Sequence, residues 1–226
     1  MSAHVTIKPQ STLVLVHDVV NDFVDVNDPG YDPGLKLVLD NIHVLLAAAR
    51  RAGLAVAFIA PGQGDPSIGP APRGDSGRLL WGTAGVDIPV QFGPLPGETV
   101  VRKPRWGGFF GSNLISHFRE LGCDTMIICG LSLSGGIETT VRDAFNFDLQ
   151  SVVVYDACLT RAVSDQGWGP VSREDVLRVT LSVLAQRFAR VATTRVICDE
   201  LSELPPTGGR EESWDPAGLA ADSRRE

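Results

Sequence analysis

Along the chain, short runs of hydrophobic residues alternate with longer amphipathic segments in which hydrophobic and polar positions are mixed. Each run is continuously apolar, which is typical of strands buried on both faces of a parallel sheet. The runs predict strands over residues 12–16, 54–59, 99–102, 125–129, 151–155 and 190–198.

The segments between the runs repeat their apolar residues every three to four positions, the period of a helix packed on one side. One of them opens with Ser172-x-x-Asp175, which resembles a capping box. The period predicts helices over residues 35–51, 113–121, 136–147 and 172–188. Strands alternating with helices predict an α/β fold: a doubly wound, mainly parallel six-stranded sheet with helices on both faces.

Two segments do not fit this alternation. Residues 60–97 are dense in Gly and Pro, and so long a connection is usually either functional or disordered. Residues 199–226 are acidic, which favours a disordered tail, with covering a neighbouring subunit as the alternative. We therefore predict one domain over residues 1–198 with an excursion at 60–97, followed by an acidic C-terminal tail at 199–226.

Composition and charge narrow the function classes. The 226 residues are 43% hydrophobic and 21% charged, as in an ordinary globular domain. The net charge is −7, and no Lys/Arg run supplies the basic stripe of a nucleic-acid binder. No apolar run reaches the roughly 18 residues of a membrane span, and the N-terminus does not resemble a signal peptide. We expect a cytoplasmic protein with a small-molecule substrate, and neither nucleic acid nor membrane as a partner.

The cysteines and the long excursion give no sign of a metal. The four cysteines lack metal-ligand spacing, so we expect reduced, buried thiols. The excursion contains Asp65 and Asp75 but no His. We predict neither a metal site nor a cofactor.

Three chemical signals lie at the carboxyl ends of the predicted strands, where parallel sheets bind ligands. Asp18 follows the first run and can act as an acid or base, unless it or Asp22 caps the next turn. Lys103 follows the third run and is either a partner of Asp18 or a surface residue beside a turn. A small-residue loop at 130–136 can present backbone N–H groups to an anion, or can be an ordinary turn into a helix.

The order and spacing of these signals match one known family. An apolar strand leads to Asp18 and then to Asn21-Asp22-Phe23; a second motif covers residues 103–114, and a third covers residues 130–144, followed by 153–158. Over residues 12–198 the chain resembles the isochorismatase-like hydrolase superfamily, also called cysteine hydrolases. The resemblance implies that family's fold, a homodimer or homotetramer, and a role in secondary metabolism.

The resemblance also implies a catalytic site. The family's Asp, Lys and Cys match Asp18, Lys103 and position 136, where this chain has Gly136. The family fold implies a cis peptide at Leu131–Ser132, and an oxyanion site formed by the backbone N–H groups of Ser132 and Gly136. The expected substrate-binding residues are Phe23, Gln63, Arg78, Trp81, Trp106, Phe109 and Ser134, with Arg78 or Arg105 available to bind a carboxylate.

Glycine at position 136 suggests which branch of the family the chain belongs to. True isochorismatases also carry glycine there and cleave an enol ether without an acyl-enzyme, although residues 139–144 look more like the amidohydrolase branch. The resemblance implies a cysteine-independent hydrolase of an enol-ether or related bond, with Asp18 as acid and base beside Lys103 and a water. Three alternatives stay open: Ser132 or Ser134 replacing the thiol, a lyase, isomerase or cyclase on the same fold, and an inactive binding or scaffold homologue.

Overall fold

The chain forms the predicted α/β sheet. The structure, a computed structural model, describes residues 5–28, 31–62 and 79–204. Six strands form one sheet in the order β3-β2-β1-β4-β5-β6, and every neighbouring pair is parallel. The strands are β1 (Thr12–His17), β2 (Ala55–Pro61), β3 (Thr99–Lys103), β4 (Thr125–Gly130), β5 (Gln150–Cys158) and β6 (Arg190–Ala192). The prediction of a doubly wound parallel sheet is confirmed.

Helices cover both faces of this sheet. One hydrophobic core lies between the sheet, α2 and α6, and the other lies between the sheet, α3, α4 and α5. The helices of the described residues are α1 (Asn21–Val24), α2 (Leu35–Arg51), α3 (Leu114–Glu120), α4 (Glu138–Asn146), α5 (Arg173–Arg187) and α6 (Thr194–Ser202). None of the helices in these ranges is long and apolar enough to cross a membrane.

Local signals fix the ends of two predicted helices. α2 has the predicted bounds and ends at Arg51. Two residues further on, Gly53 has a φ of 73°, and the N–H groups of Gly53 and Leu54 donate to the carbonyls of Arg50 and Ala49, which terminates the helix. The hydroxyl of Ser172 caps α5 by accepting from the backbone N–H of Asp175 at 3.0 Å. The predicted capping interaction is therefore confirmed.

The prediction of a strand over residues 190–198 is wrong beyond Ala192. The chain turns into α6, where the hydroxyl of Thr193 caps the helix by accepting from the N–H of Val196. The buried residues of α6, Thr194, Ile197 and Leu201, recur every three to four positions, which is a helical period. The β-branched residues of this run imitate a strand in the sequence, and burial against α2 selects the helix.

Two of the predicted boundaries also change. The helix predicted from residue 136 begins as α4 at Glu138, after a π-type turn at Leu133–Ile137. The domain boundary at residue 198 falls inside α6, which continues to Ser202. The rest of the predicted tail, 205–226, lies outside the described residues, as does the part of the excursion at 63–78.

The described second half of the excursion packs onto the domain. Val86, Ile88 and Phe92 are buried there. The guanidinium of Arg50, from α2, donates to both carboxylate oxygens of Glu98 and to the carbonyl of Phe92. The described half of the excursion is therefore packed against the sheet domain, beside the carboxyl ends of the strands.

Candidate active site

The strand order reverses between β1 and β4, and a parallel sheet binds its ligands at such a reversal. His17 ends β1 and pairs in register with Gly130, which ends β4. Asp18 follows the first strand, and the small-residue loop follows the second. Two of the three chemical signals in the sequence therefore meet at this point.

Lys103 brings the third signal to the same place. It ends β3, two strands from β1, and its side chain crosses the end of β2 to put Nζ 2.9 Å from Oδ2 of Asp18. The side chains of Lys103 and Asp18 are only 2% and 11% exposed. Nζ also donates to the carbonyls of Arg105 at 3.1 Å and Trp106 at 2.9 Å. Lys103 is therefore a buried partner of Asp18 and not a surface residue.

Asp18 has an unusual backbone and an unusual carboxyl group. Its φ of 57° lies in the left-handed region, which non-glycine residues seldom adopt and which clusters at functional sites. Burial raises the pKa of Asp18 to about 7, against the opposing charge of Lys103. Oδ1 is buried and has no hydrogen-bond partner among the described residues. The carboxyl group can therefore hold a proton near neutral pH, and one of its oxygens makes no hydrogen bond within the described residues.

The loop after β4 packs tightly against the end of β1. Gly130 has a φ of 123°, and a Cβ there would lie 2.0 Å from the carbonyl oxygen of His17. The peptide Leu131–Ser132 is cis, which confirms the expectation from the family resemblance. Gly136 accepts a hydrogen bond from the hydroxyl of Thr140 at 2.6 Å, and that hydroxyl oxygen accepts from the N–H of Gly108 at 2.9 Å. These bonds join the 130–144 motif to the 103–114 motif.

His17 lies in this site, although the sequence analysis did not single it out. Leu13, Leu15 and His17 alternate along β1 and point to the face that carries α4. The imidazole is fully buried, and its Nδ1 lies 2.8 Å from the carbonyl of Leu131 and 3.3 Å from Oδ2 of Asp18. The signal in the sequence was a histidine that ends an otherwise apolar buried strand, directly before the candidate acid.

The predicted aromatic substrate contacts divide into two groups. Trp106 is 71% exposed and its ring covers Gly135, while Trp81 is 46% exposed and its ring covers Gly62 at the end of β2. Phe23 packs on one core, and Phe109 is buried in the other, 5.3 Å from Phe147 between ring centroids. The two tryptophans therefore border the strand ends, whereas the two phenylalanines belong to the packing.

The polar residues predicted to contact substrate differ in their exposure, and two of them lie outside the described residues. Ser132 is half-buried, Ser134 is exposed, and exposed Arg105 donates to the carbonyl of Pro104. Gln63 and Arg78 lie outside the described residues.

None of the four cysteines belongs to the loop after β4. Three of them, Cys123, Cys129 and Cys158, are buried, and burial raises the pKa of all four thiols. A raised pKa disfavours the thiolate, the nucleophilic form. Within residues 5–28, 31–62 and 79–204, no group of three or more His, Cys, Asp or Glu side chains could hold a metal ion.

A parallel sheet with a buried carboxylate–ammonium pair at its reversal point is typical of α/β enzymes that act on small molecules. The model of the isochorismatase domain family matches residues 12–195. The chain belongs to the isochorismatase family.

Individual relatives agree with this assignment. The chain is 28% identical to the ureidoacrylate amidohydrolase RutB of Rhizobium rhizogenes, over 90% of this chain and 88% of that protein. It is 31% identical to the RutB of Pantoea ananatis, over 66% of this chain and 69% of that protein. A crystal structure of a cysteine hydrolase from Pseudomonas syringae pv. phaseolicola superposes with a TM-score of 0.81 at 26% identity, covering 91% of this chain and 99% of that one. The similar proteins are thus named as hydrolases.

Proposed function

We propose that this protein hydrolyses a small organic molecule with water, without a thiol nucleophile, and that Asp18 supplies the proton. The observation that carries the proposal is the buried carboxyl of Asp18, which is paired with Lys103 through one oxygen and has no partner on the other. Residue 136, which we align with the family's nucleophile, is a buried glycine. A covalent route through this residue is therefore closed.

The preferred bond is an enol ether. The protonated carboxyl of Asp18 gives its proton to the terminal enol carbon, whose C=C electron pair forms the new C–H bond. Water then adds to the resulting oxocarbenium carbon. The hemiketal collapses: one water proton reaches the departing ether oxygen, the C–O bond breaks, and the other proton returns to Asp18. The products are an alcohol and a ketone, and the acid is regenerated.

The neighbours of Asp18 fit this role. A carboxyl group with a pKa of about 7 is partly protonated at neutral pH, as a general acid requires. Lys103 holds Oδ2 by charge and hydrogen bond, which leaves Oδ1, without a partner among the described residues, as the oxygen that we propose to face the substrate. The backbone N–H groups of Ser132 and Gly136 are the proposed donors to a substrate oxygen that gains negative charge.

Hydrolysis of an amide or ureido bond is the second candidate. It is favoured by the names of the similar RutB proteins, which are ureidoacrylate amidohydrolases. In that reaction water would attack the carbonyl carbon directly, the oxyanion would be held by the same N–H groups, and Asp18 would protonate the leaving nitrogen. Both candidates use water and Asp18, and they differ in the bond that breaks.

A product assay in H₂¹⁸O tests the proposal. The purified protein is incubated with isochorismate, ureidoacrylate and a panel of small amides, and the products are analysed by mass spectrometry. We expect one ¹⁸O in the carbonyl or carboxyl product, and loss of turnover in Asp18→Asn. The matched control is Asp40→Asn, because the side chain of Asp40 is 59% exposed and pairs with Lys36 on α2, away from Asp18.

Each outcome separates one alternative. Pyruvate from isochorismate supports enol-ether hydrolysis, and an ¹⁸O-labelled acid from an amide supports the second candidate. A product without ¹⁸O contradicts hydrolysis and favours a lyase or isomerase. Full turnover in Asp18→Asn refutes the proposed role of the carboxyl group.

A further inference from the structure

The side chain of His17 and any side chain at position 136 compete for the same space. A Cβ built on Gly136 would lie 2.3 Å from Cε1 of His17 and 3.1 Å from its Nε2. Carbon atoms that are not bonded to each other pack at about 3.5–4.0 Å, so an approach of 2.3 Å is a steric clash. The glycine is thus the residue that admits the imidazole, and the imidazole occupies the space into which a side chain at position 136 would begin to extend.

We propose that His17 activates the water that takes the place of a nucleophilic side chain. In this role Nε2 accepts a proton from the water that attacks the substrate. The inference rests on the proposed hydrolysis and adds the water-activating residue to it. Nothing in the family match or the names of the relatives assigns this residue a role.

The hydrogen bonds of the imidazole leave Nε2 as the reactive nitrogen. A neutral imidazole carries one N–H, and the partner of one nitrogen fixes which of the two is protonated. Nδ1 lies 2.8 Å from the carbonyl of Leu131, which can only accept, so the proton is on Nδ1. Nε2 then carries a lone pair; it is fully buried and makes no hydrogen bond among the described residues. The carbonyl of Trp106, the other acceptor that faces the ring, accepts from Nζ of Lys103 at 2.9 Å. A buried lone pair beside a candidate acid is suited to accept a proton from water.

The charges around the ring keep it neutral. The groups that face it are Oδ2 of Asp18, 3.3 Å from Nδ1, the ammonium of Lys103, and the carbonyls of Leu131 and Trp106. Burial and the charge of Lys103 hold the pKa of His17 well below its ordinary value, although the two carbonyls oppose this shift. An imidazole that is neutral at pH 7 can take a proton, whereas an imidazolium cannot.

The proton transfers balance with the proposed reaction. As the water oxygen bonds to the electrophilic carbon, one O–H bond breaks and its proton moves to Nε2. In the enol-ether reaction, the imidazolium then gives that proton to the departing ether oxygen as the C–O bond breaks. Asp18 recovers its proton from the hydroxyl of the tetrahedral intermediate. His17 and Asp18 thereby act on different protons of one water.

The first test needs no substrate. Long-range ¹H–¹⁵N spectra of the ¹⁵N-labelled protein report the tautomer of each histidine, and the His17→Gln variant assigns the signal of His17. We expect an Nδ1–H, Nε2-unprotonated ring that stays neutral at pH 7, because burial and Lys103 lower the pKa of His17. A proton on Nε2, or an imidazolium near neutral pH, would overturn the proposal, because either removes the lone pair.

The second test measures turnover with the substrate found in the ¹⁸O assay. His17→Phe keeps an aromatic ring at this position but has neither nitrogen, and we expect kcat to fall at least about 100-fold with a small change in KM. His117→Phe, on α3, is the matched control and keeps wild-type kcat. His17→Gln serves as the second variant if His17→Phe does not fold, and the same loss of kcat is expected.

The outcomes distinguish this inference from the proposed function. If Asp18→Asn loses turnover while the His17 variants keep it, the role of His17 is refuted and the hydrolysis stands. If Asp18→Asn also keeps turnover, the proposed function fails first. A KM increase alone in the His17 variants shows substrate binding and refutes water activation.

Discussion

The contact between His17 and position 136 gives the sharpest prediction about stability. In Gly136→Ala, the added Cβ would lie 2.3 Å from Cε1 of His17, more than 1 Å inside an ordinary carbon contact of about 3.5–4.0 Å. The imidazole has little room to withdraw, because it is fully buried and Nδ1 is bound to the carbonyl of Leu131. The backbone of His17 is held by the close approach of Gly130.

The magnitude follows from two opposing effects. Overpacking a buried site costs about 1–3 kcal/mol, with this contact at the upper end. Replacing glycine by alanine near a helix start raises the free energy of unfolding by at most about 1 kcal/mol, because alanine has the higher helix propensity. We therefore expect Gly136→Ala to lower the free energy of unfolding by about 2 kcal/mol, or Tm by roughly 4–8 °C for a domain of this size.

Thermal unfolding followed by circular dichroism measures this loss in two backgrounds. His17→Val removes Cε1 and Nε2 and leaves only the 3.0 Å approach of the new Cβ to the carbonyl oxygen of Trp106. Gly136→Ala should therefore lose less in that background, and the double-mutant cycle should give a coupling of about 1–2 kcal/mol. A Gly136→Ala protein as stable as wild type would refute the reasoning. So would an equal loss in both backgrounds, because the imidazole would then not be the obstacle.

Three further predictions follow from the site and the helix ends. The pH profile of kcat/KM should fall as pH rises through about 7, because Asp18 donates its proton only in the protonated form, which is populated below its raised pKa. Lys103→Met should lower the free energy of unfolding by about 3 kcal/mol in urea, because it leaves a buried carboxyl without its counter-charge. Its surface control, Lys36→Met at a 76% exposed side chain, should cost less than about 0.5 kcal/mol. Ser172→Ala should cost about 1 kcal/mol in the same assay, because it removes the side-chain cap of α5.

The contrary results are equally specific. A rate that rises through pH 7 would indicate that the ionised carboxylate of Asp18 is the active form. Equal effects of Lys103→Met and Lys36→Met would mean that the buried pair contributes no more than a surface pair. An unchanged Ser172→Ala protein would mean that water satisfies the first turn of α5 as well as the hydroxyl does.

Most strands and helices could be predicted from the sequence, because local sequence patterns determine them. Continuous apolar runs identify strands that are covered on both faces, so five of the six predicted strands appear at nearly the predicted positions. The spacing of Ser172 and Asp175 identifies the start of α5, and the apolar period of residues 35–51 identifies α2. The run at 190–198 failed because its β-branched residues suit either state, and only packing against α2 decides for a helix.

The site was predictable in part. Asp18 and Lys103 could be selected because each directly follows an apolar run, and strand ends are where parallel sheets bind ligands. Phe109 was selected with them, yet it packs in the core, since the sequence does not show which side of the loop faces the strand ends.

The sequence by itself determined a parallel α/β sheet, the family, and the residues available for chemistry at the strand ends. The tertiary structure decided how those residues act on one another. The 2.9 Å contact of Lys103 with Asp18 exists because the strand order places β3 two strands from β1, within reach of a lysine side chain. The exclusion between His17 and a side chain at position 136 exists because β1 and the loop before α4 converge at the reversal of the sheet. Neither contact can be predicted from local sequence, because each depends on the distance between segments that only the folded chain brings together.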